Sequence, residues 1–129
     1  MVRGLHYQYS PAQSKLVGVV RGRIWDVAVD IRPWSSTYGQ NYSVELNDIN
    51  GRLLWIPAGF AHGFCVLGNE PADVVYKTDA EYNPASEDGI NFSDSELAIQ
   101  WQAATPQVSE RDQNLQSFAQ YKSNPVEWN

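Results

Sequence analysis

The feature that most constrains this chain is a succession of short apolar segments cut by turn residues, with no helical period before Ser93. Lys15 to Val20 is apolar and β-branched and reads as a strand, followed by a turn at Arg21-Gly22-Arg23. Ile24 to Ile31 then alternates, with Val27, Val29 and Ile31 on one side and Asp26, Ala28 and Asp30 on the other. Arg32-Pro33-Trp34-Ser35-Ser36 is loop, and Tyr42 to Leu46 alternates again. Asn47-Asp48-Ile49-Asn50-Gly51 carries strong turn chemistry. Arg52 to Ile56 is a further strand, stopped by Pro57. Phe64 to Leu67 and Asp73 to Lys77 are two more, separated by Gly68-Asn69-Glu70-Pro71. Short strands at this spacing predict an all-β sandwich or barrel.

The last part of the chain reads differently. Asp94 to Leu97 suggests one helical turn, and Ile99-Gln100-Trp101 an extended stretch. Ser109-Glu110-Arg111-Asp112 opens a polar segment running through Phe118 to Tyr121, a helix candidate. Residues 122–129 read as a loosely held end. With no internal repeat and no low-complexity linker, residues 1–129 are expected to form one domain with a single core. The net charge of −6 argues against a general nucleic-acid binder or a ligand of anionic membranes. It leaves room for an anionic small ligand held by a few local cations. The single cysteine, Cys65, excludes an internal disulfide and fits a reducing, cytoplasmic setting. No signal-peptide pattern opens the chain, and no apolar run is long enough to span a bilayer.

Two isolated histidines, no His-x-His pair and one unpartnered cysteine argue against a metal site. No Gly-x-Gly-x-x-Gly supports a nucleotide cofactor, and Cys65, in an apolar strand pattern, reads as packing rather than as a nucleophile. Acid–base chemistry remains. His6, between Arg3 and Tyr7, is a candidate base or a histidine hydrogen-bonded on a strand face. His62, bracketed by Gly59, Phe60, Gly63 and Phe64, reads as a tight aromatic-walled bend, either a ligand loop or a structural corner. Tyr76 is a candidate acid or a rim aromatic, and Glu87-Asp88 reads as a solvated turn.

In combination these segments are more specific. Arg3-Gly4-Leu5-His6-Tyr7-Gln8, Lys15-Leu16-Val17, Asp26 to Arg32, Trp55-Ile56-Pro57 with Gly59 to Phe64, Tyr76-Lys77, Pro84 to Ile90 and Leu97 to Trp101 occur in that order. The set closely resembles the dTDP-4-dehydrorhamnose 3,5-epimerase family of sugar-nucleotide epimerases, up to about Asp112. The resemblance implies a cupin-type jelly-roll β-sandwich with a short, partly helical C-terminal segment. It also implies a homodimer that works without metal or other cofactor on a dTDP-4-keto-6-deoxyhexose, in rhamnose biosynthesis. By motif, His6 matches the base, Asp112 the carboxylate that orients it, Lys15 the cation near the enolate and Tyr76 the acid on the other face. Arg3, Lys15, His62, Glu87 and Arg111 match substrate-contacting positions, Arg111 replacing an expected lysine and so keeping the charge with a different shape. A single-position epimerase and a catalytically silent sugar-nucleotide-binding protein of the same fold are the alternatives.

Family members carry a sizeable segment before the Arg-Gly-Leu-His motif, which supplies strands, some exchanged between subunits, and substrate contacts. Here Met1 almost abuts the motif. The short start is expected to remove part of the nucleotide pocket. It should also leave a sheet edge and the apolar residues Ile24, Val27, Val29 and Ile31 in need of cover.

Overall fold

The computed structural model describes residues 1–104 and 106–129. In chain order the strands are β1 (Val2–Gln8), β2 (Lys15–Arg21), β3 (Arg23–Asp30), β4 (Asn41–Asn47), β5 (Leu54–Ile56), β6 (Phe60–Val66), β7 (Asp73–Thr78) and β8 (Glu87–Gly89). Two short helices follow, α1 (Glu110–Gln113) and α2 (Phe118–Ser123). A five-stranded sheet runs β4-β3-β6-β1-β8 and a three-stranded sheet runs β5-β2-β7, with all named pairings antiparallel. Two antiparallel sheets with little helix are the sandwich that the strand spacing predicts.

The alternation of β3 divides the core. Val27 and Val29, with Ile31 just beyond the strand, face a cluster containing Leu5, Tyr7, Ala61, Ile90, Leu97, Phe118 and Tyr121. Ile24 and Ala28 face the other way, onto Val17, Leu46, Ile56 and Phe64. Both faces of the large sheet are therefore buried, one by the small sheet and one by the C-terminal segment. This corrects one expectation: Ile24, Val27, Val29 and Ile31 are each fully buried within the single chain. Phe118 and Tyr121, three apart on α2, close over this outer face, and the Tyr121 hydroxyl donates to the Ile31 carbonyl at 2.7 Å.

Four local readings also change. The bend stops at Gly59, since Phe60–Val66 is a strand paired on both sides and His62 lies within it. Glu87-Asp88 is not a solvated turn but part of β8, opposite Tyr7 and Gln8. The end from Lys122 is held rather than loose, because Trp128 packs against Tyr7 at 5.6 Å between ring centroids and the Asn129 amide donates to the Tyr9 carbonyl at 2.9 Å. The expected helix from Ser109 to Tyr121 is two helices, each capped by its own serine, Ser109 and Ser117. No helix among the described residues is long and apolar enough to cross a membrane.

Candidate active site

Polar side chains interrupt the apolar inner faces of the two sheets, as where His62 stands between Phe60 and Phe64 on β6. They line a cavity of about 360 Å³, with Arg3 and His6 of β1, Lys15 of β2, His62 of β6, Tyr76 of β7 and Glu87 of β8, and with Tyr82 and Gln8 also on its wall. Period-two alternation gathers most of them, and the register break in β1 between Arg3 and His6 brings these two, three apart, to the same cavity. His6 pairs directly with His62 across β1 and β6, and Lys15 and Tyr76 lie on the facing sheet, where Lys15 pairs with Thr78 and Val17 with Tyr76.

His6 is oriented by a residue more than a hundred positions away. Its Nε2 lies 2.7 Å from Asp112 Oδ1. Asp112 sits on α1, where the Ser109 side chain accepts from its amide at 3.2 Å and so fixes the turn. The second carboxylate oxygen, Oδ2, accepts from the Gly4 amide at 3.0 Å. That bond depends on a break in the β1–β6 register between Arg3 and His6. Gly4 has φ +107°, and a Cβ there would stand 2.5 Å from the His62 carbonyl oxygen, so the position admits only glycine. Burial pushes the Asp112 carboxyl up, but the Gly4 and His6 hydrogen bonds outweigh it and hold the group below the usual carboxylate range. Asp112 is thus a firm anion behind His6. The other imidazole nitrogen of His6 is left for a substrate, and the side chain is 26 % exposed.

His62 forms a second pair, with Nε2 2.6 Å from Asp26 Oδ1. Both residues are almost completely buried, at 3 % and 0 %. The ring of His62 meets that of Tyr76 edge to face, at 5.7 Å and 85°. Lys15 Nζ lies 5.9 Å from the centre of the Tyr76 ring. Burial pushes the Tyr76 phenol up to about 12, the Asp26 charge adding to the effect and Arg3 opposing it. Burial also lowers the Lys15 ammonium below the usual lysine range, with Glu87 and Asp26 opposing the shift. The wall on this side therefore carries a phenol that keeps its proton and a cation held by nearby carboxylates. Arg111 Nη2 bonds Glu87 Oε1 at 2.5 Å, tying α1 to β8 beside the cavity. Arg111 also lines an adjoining space of about 500 Å³ with Arg3, His6 and Asp112.

All eight residues expected at the site are thus brought together, six on the cavity wall, with Asp112 behind His6 and Arg111 at the adjoining opening. Three participants were not expected. In the sequence Asp26 reads as the polar phase of an alternating strand and as part of the ordered motif set, without a role at the site. A carboxylate at an inward position of a doubly covered strand needs a buried partner, and that signal points to a nearby histidine or cation. Tyr82 has no comparable signal, because its place depends on how the segment after β7 folds back; Gln8 ends the first motif, but nothing in the sequence says what its side chain meets. Among the described residues no group of three or more His, Cys, Asp or Glu side chains is placed to hold a metal ion.

Comparison with known proteins places this geometry. A family profile described as dTDP-4-dehydrorhamnose 3,5-epimerase matches residues 1–120. The chain is 51 % identical over 119 residues to a Shigella flexneri protein of that name, covering 92 % of this chain and 65 % of that one. It is 43 % identical over 129 residues to the Methanothermobacter thermautotrophicus protein of the same name, covering 98 % and 68 %. Its fold superposes with a TM-score of 0.94 on NovW, a 4-keto-6-deoxy sugar epimerase of Streptomyces spheroides, at 38 % identity and over 100 % of this chain and 65 % of that one. With dTDP-6-deoxy-D-glucose-3,5-epimerase of Legionella pneumophila, solved in complex with dTDP-4-keto-L-rhamnose, the TM-score is 0.92 at 43 % identity, over 99 % and 68 %. The jelly-roll sandwich is common to the two solved structures. The chain spans 65 % of the Shigella protein and 37 % of a Neisseria gonorrhoeae relative.

Proposed function

The chain belongs to the dTDP-4-dehydrorhamnose 3,5-epimerase family, and from that premise we propose that it epimerises dTDP-4-dehydro-6-deoxyglucose at C3 and C5 to dTDP-4-dehydrorhamnose. The observation that carries this reading is the placing of His6, held by Asp112 of α1, on one sheet and of Tyr76 and Lys15 on the other, across one cavity. Epimerisation beside a ketone needs a base and an acid on opposite faces of one carbon. The two sheets supply them.

The chemistry follows from these groups. The C4 ketone acidifies the hydrogens at C3 and C5. The free nitrogen of His6 takes the proton, the C–H electron pair moves into the C3–C4 or C4–C5 bond, and negative charge gathers on O4. Asp112 offsets the positive charge that the imidazole acquires. Lys15 stands where a cation can stabilise the enolate oxygen. Tyr76, protonated throughout the neutral range, returns a proton to carbon from the other side. Each step moves only protons and electron pairs within the substrate and these side chains, so no redox partner enters. Arg3 and Arg111 are the cations available to a diphosphate, and His62 and Glu87 are further contacts to the nucleotide sugar. Tyr82, 67 % exposed at the mouth, offers a flat face to the base.

The same proposal includes a homodimer in the cytoplasm. The outer face of the small sheet and its flank expose Val20, Leu53, Trp55 and Val75, an apolar surface suited to a second copy. Light scattering is expected to give twice the chain mass. Incubation with dTDP-4-dehydro-6-deoxyglucose, followed by NMR assignment of the product, tests the reaction itself. Inversion at both carbons is expected, and unchanged substrate would count against the reading.

A further inference from the structure

Gln8 closes the first sequence motif and has no part in the chemistry above. It is nonetheless among the most fully engaged side chains near the cavity. Only 3 % exposed, it donates from Nε2 to the Pro11 and Glu81 carbonyls, both at 2.9 Å, and accepts at Oε1 from the Asn83 amide, also at 2.9 Å. Glu81 and Asn83 are the two neighbours of Tyr82. One amide group therefore grips the backbone immediately before and immediately after that tyrosine. Other bonds tie the same segment to the loop after β1, from Gln13 to the Ala80 carbonyl, from the Ser14 amide to Asp79, and from Asn83 and Ser86 to the Ser10 carbonyl. Only Gln8 among these straddles Tyr82.

We propose that Gln8 is a positioning residue that fixes Tyr82 at the mouth of the cavity and thereby sets the affinity for the base of the nucleoside-diphosphate substrate. The ring of Tyr82 is too exposed to be placed by packing, so its position is inherited from its backbone. The backbone at this point needs one acceptor and one donor supplied from the same side, with a further donor reaching Pro11. A carboxamide provides both functions on one rigid group, whereas a carboxylate of the same size has no donor and a thioether offers at most a weak acceptor. Gln8 also stands directly opposite Glu87 in the β1–β8 ladder and two residues after His6. The strand that carries the base thus also carries the ruler for the rim. An aromatic ring held ready for a base contributes to affinity without a further ordering cost on binding.

This inference rests on the proposed substrate class, and its test separates the two. Calorimetric titration with dTDP and with inorganic diphosphate would be run on the wild type, Gln8→Glu, Tyr82→Ala and the double variant. Each single variant is expected to weaken dTDP binding by roughly tenfold, the scale of one lost base–aromatic contact, and to leave diphosphate binding unchanged. The double variant is expected to bind dTDP no more weakly than Tyr82→Ala, because the two act as one unit. Faster amide exchange at Asn83 in Gln8→Met reads the positioning directly and serves if Gln8→Glu does not fold. Effects that add fully in the double variant, or an equal loss for diphosphate, would reduce Gln8 to a structural role and overturn the proposal. A wild type that binds dTDP, with Gln8→Glu binding as well, overturns this inference alone. A wild type that binds no dTDP overturns the substrate reading and this inference with it.

Discussion

His6 and His62 stand directly opposite one another across β1 and β6, and each is held by its own carboxylate, Asp112 at 2.7 Å and Asp26 at 2.6 Å. The symmetry ends at solvent. His6 is a quarter exposed and open to the cavity, whereas His62, although on the cavity wall, is only 3 % exposed between Asp26 and the Tyr76 ring. Of the two, only His6 has the access that a base acting on a bound sugar requires.

His6→Ala is therefore expected to abolish solvent-proton exchange at both C3 and C5, a loss of at least about 10² to 10⁴-fold, while largely sparing dTDP affinity. Exchange is read by NMR and affinity by calorimetry. Exchange at the wild-type rate would remove His6 from the mechanism.

Tyr76→Phe keeps the ring that packs on His62 and deletes only the hydroxyl. With abstraction by His6 intact, net inversion is expected to fall more than proton exchange does. Comparing the two rates on one sample checks this, and an equal fall in both would show that Tyr76 is not a dedicated proton donor.

Much of this was legible in the chain. The alternation from Ile24 to Ile31 gives both buried faces of β3, and the ordered motifs bring His6, Lys15, Tyr76, Arg111 and Asp112 to one place. What escaped has physical causes. Gly59 and Gly63 flank His62 and suggest a bend, but Gly63 is a strand residue whose Cβ would stand 2.7 Å from the Arg3 carbonyl oxygen. Glycine there marks the close approach of β1 rather than a turn. The cover over Val27, Val29 and Ile31 was missed because it comes from Leu97, Phe118 and Tyr121, far along the chain and in segments with weak periodicity. Asp26 was passed over because alternation says that a residue points inward but not what it meets there.

The alkaline side of the pH profile is expected to report Lys15. Burial lowers its ammonium below the ordinary lysine value of about 10.4, so the cation at the enolate oxygen is lost as pH rises through that lower range. Lys15→Arg keeps the charge far above it and should carry a slower but flatter rate through that region. The same alkaline limb in Lys15→Arg would assign it to another group.

Stability is expected to decline in acid. Asp112 and Asp30 are both held below their unfolded value of about 3.9, Asp30 because hydrogen bonds from Arg32, Ser35 and Thr37 outweigh its burial. Groups with depressed folded values contribute stability above the unfolded value and lose it as pH falls through the folded one. Urea unfolding from pH 6 to pH 2 should show the loss beginning near pH 4, with a shallower decline in Asp30→Asn and in Asp112→Asn. Unchanged slopes in both variants would place the acid sensitivity elsewhere.

The most direct measurement of the central claim is incubation of the protein with dTDP-4-dehydro-6-deoxyglucose in deuterated water, with deuterium followed at each carbon of the sugar. Removal of a proton beside the C4 ketone and delivery of a solvent-derived deuteron from the opposite sheet predict deuterium at both C3 and C5 together with inverted configuration at both. Label at C3 alone would make the chain a single-position epimerase, and label at neither carbon would contradict the account.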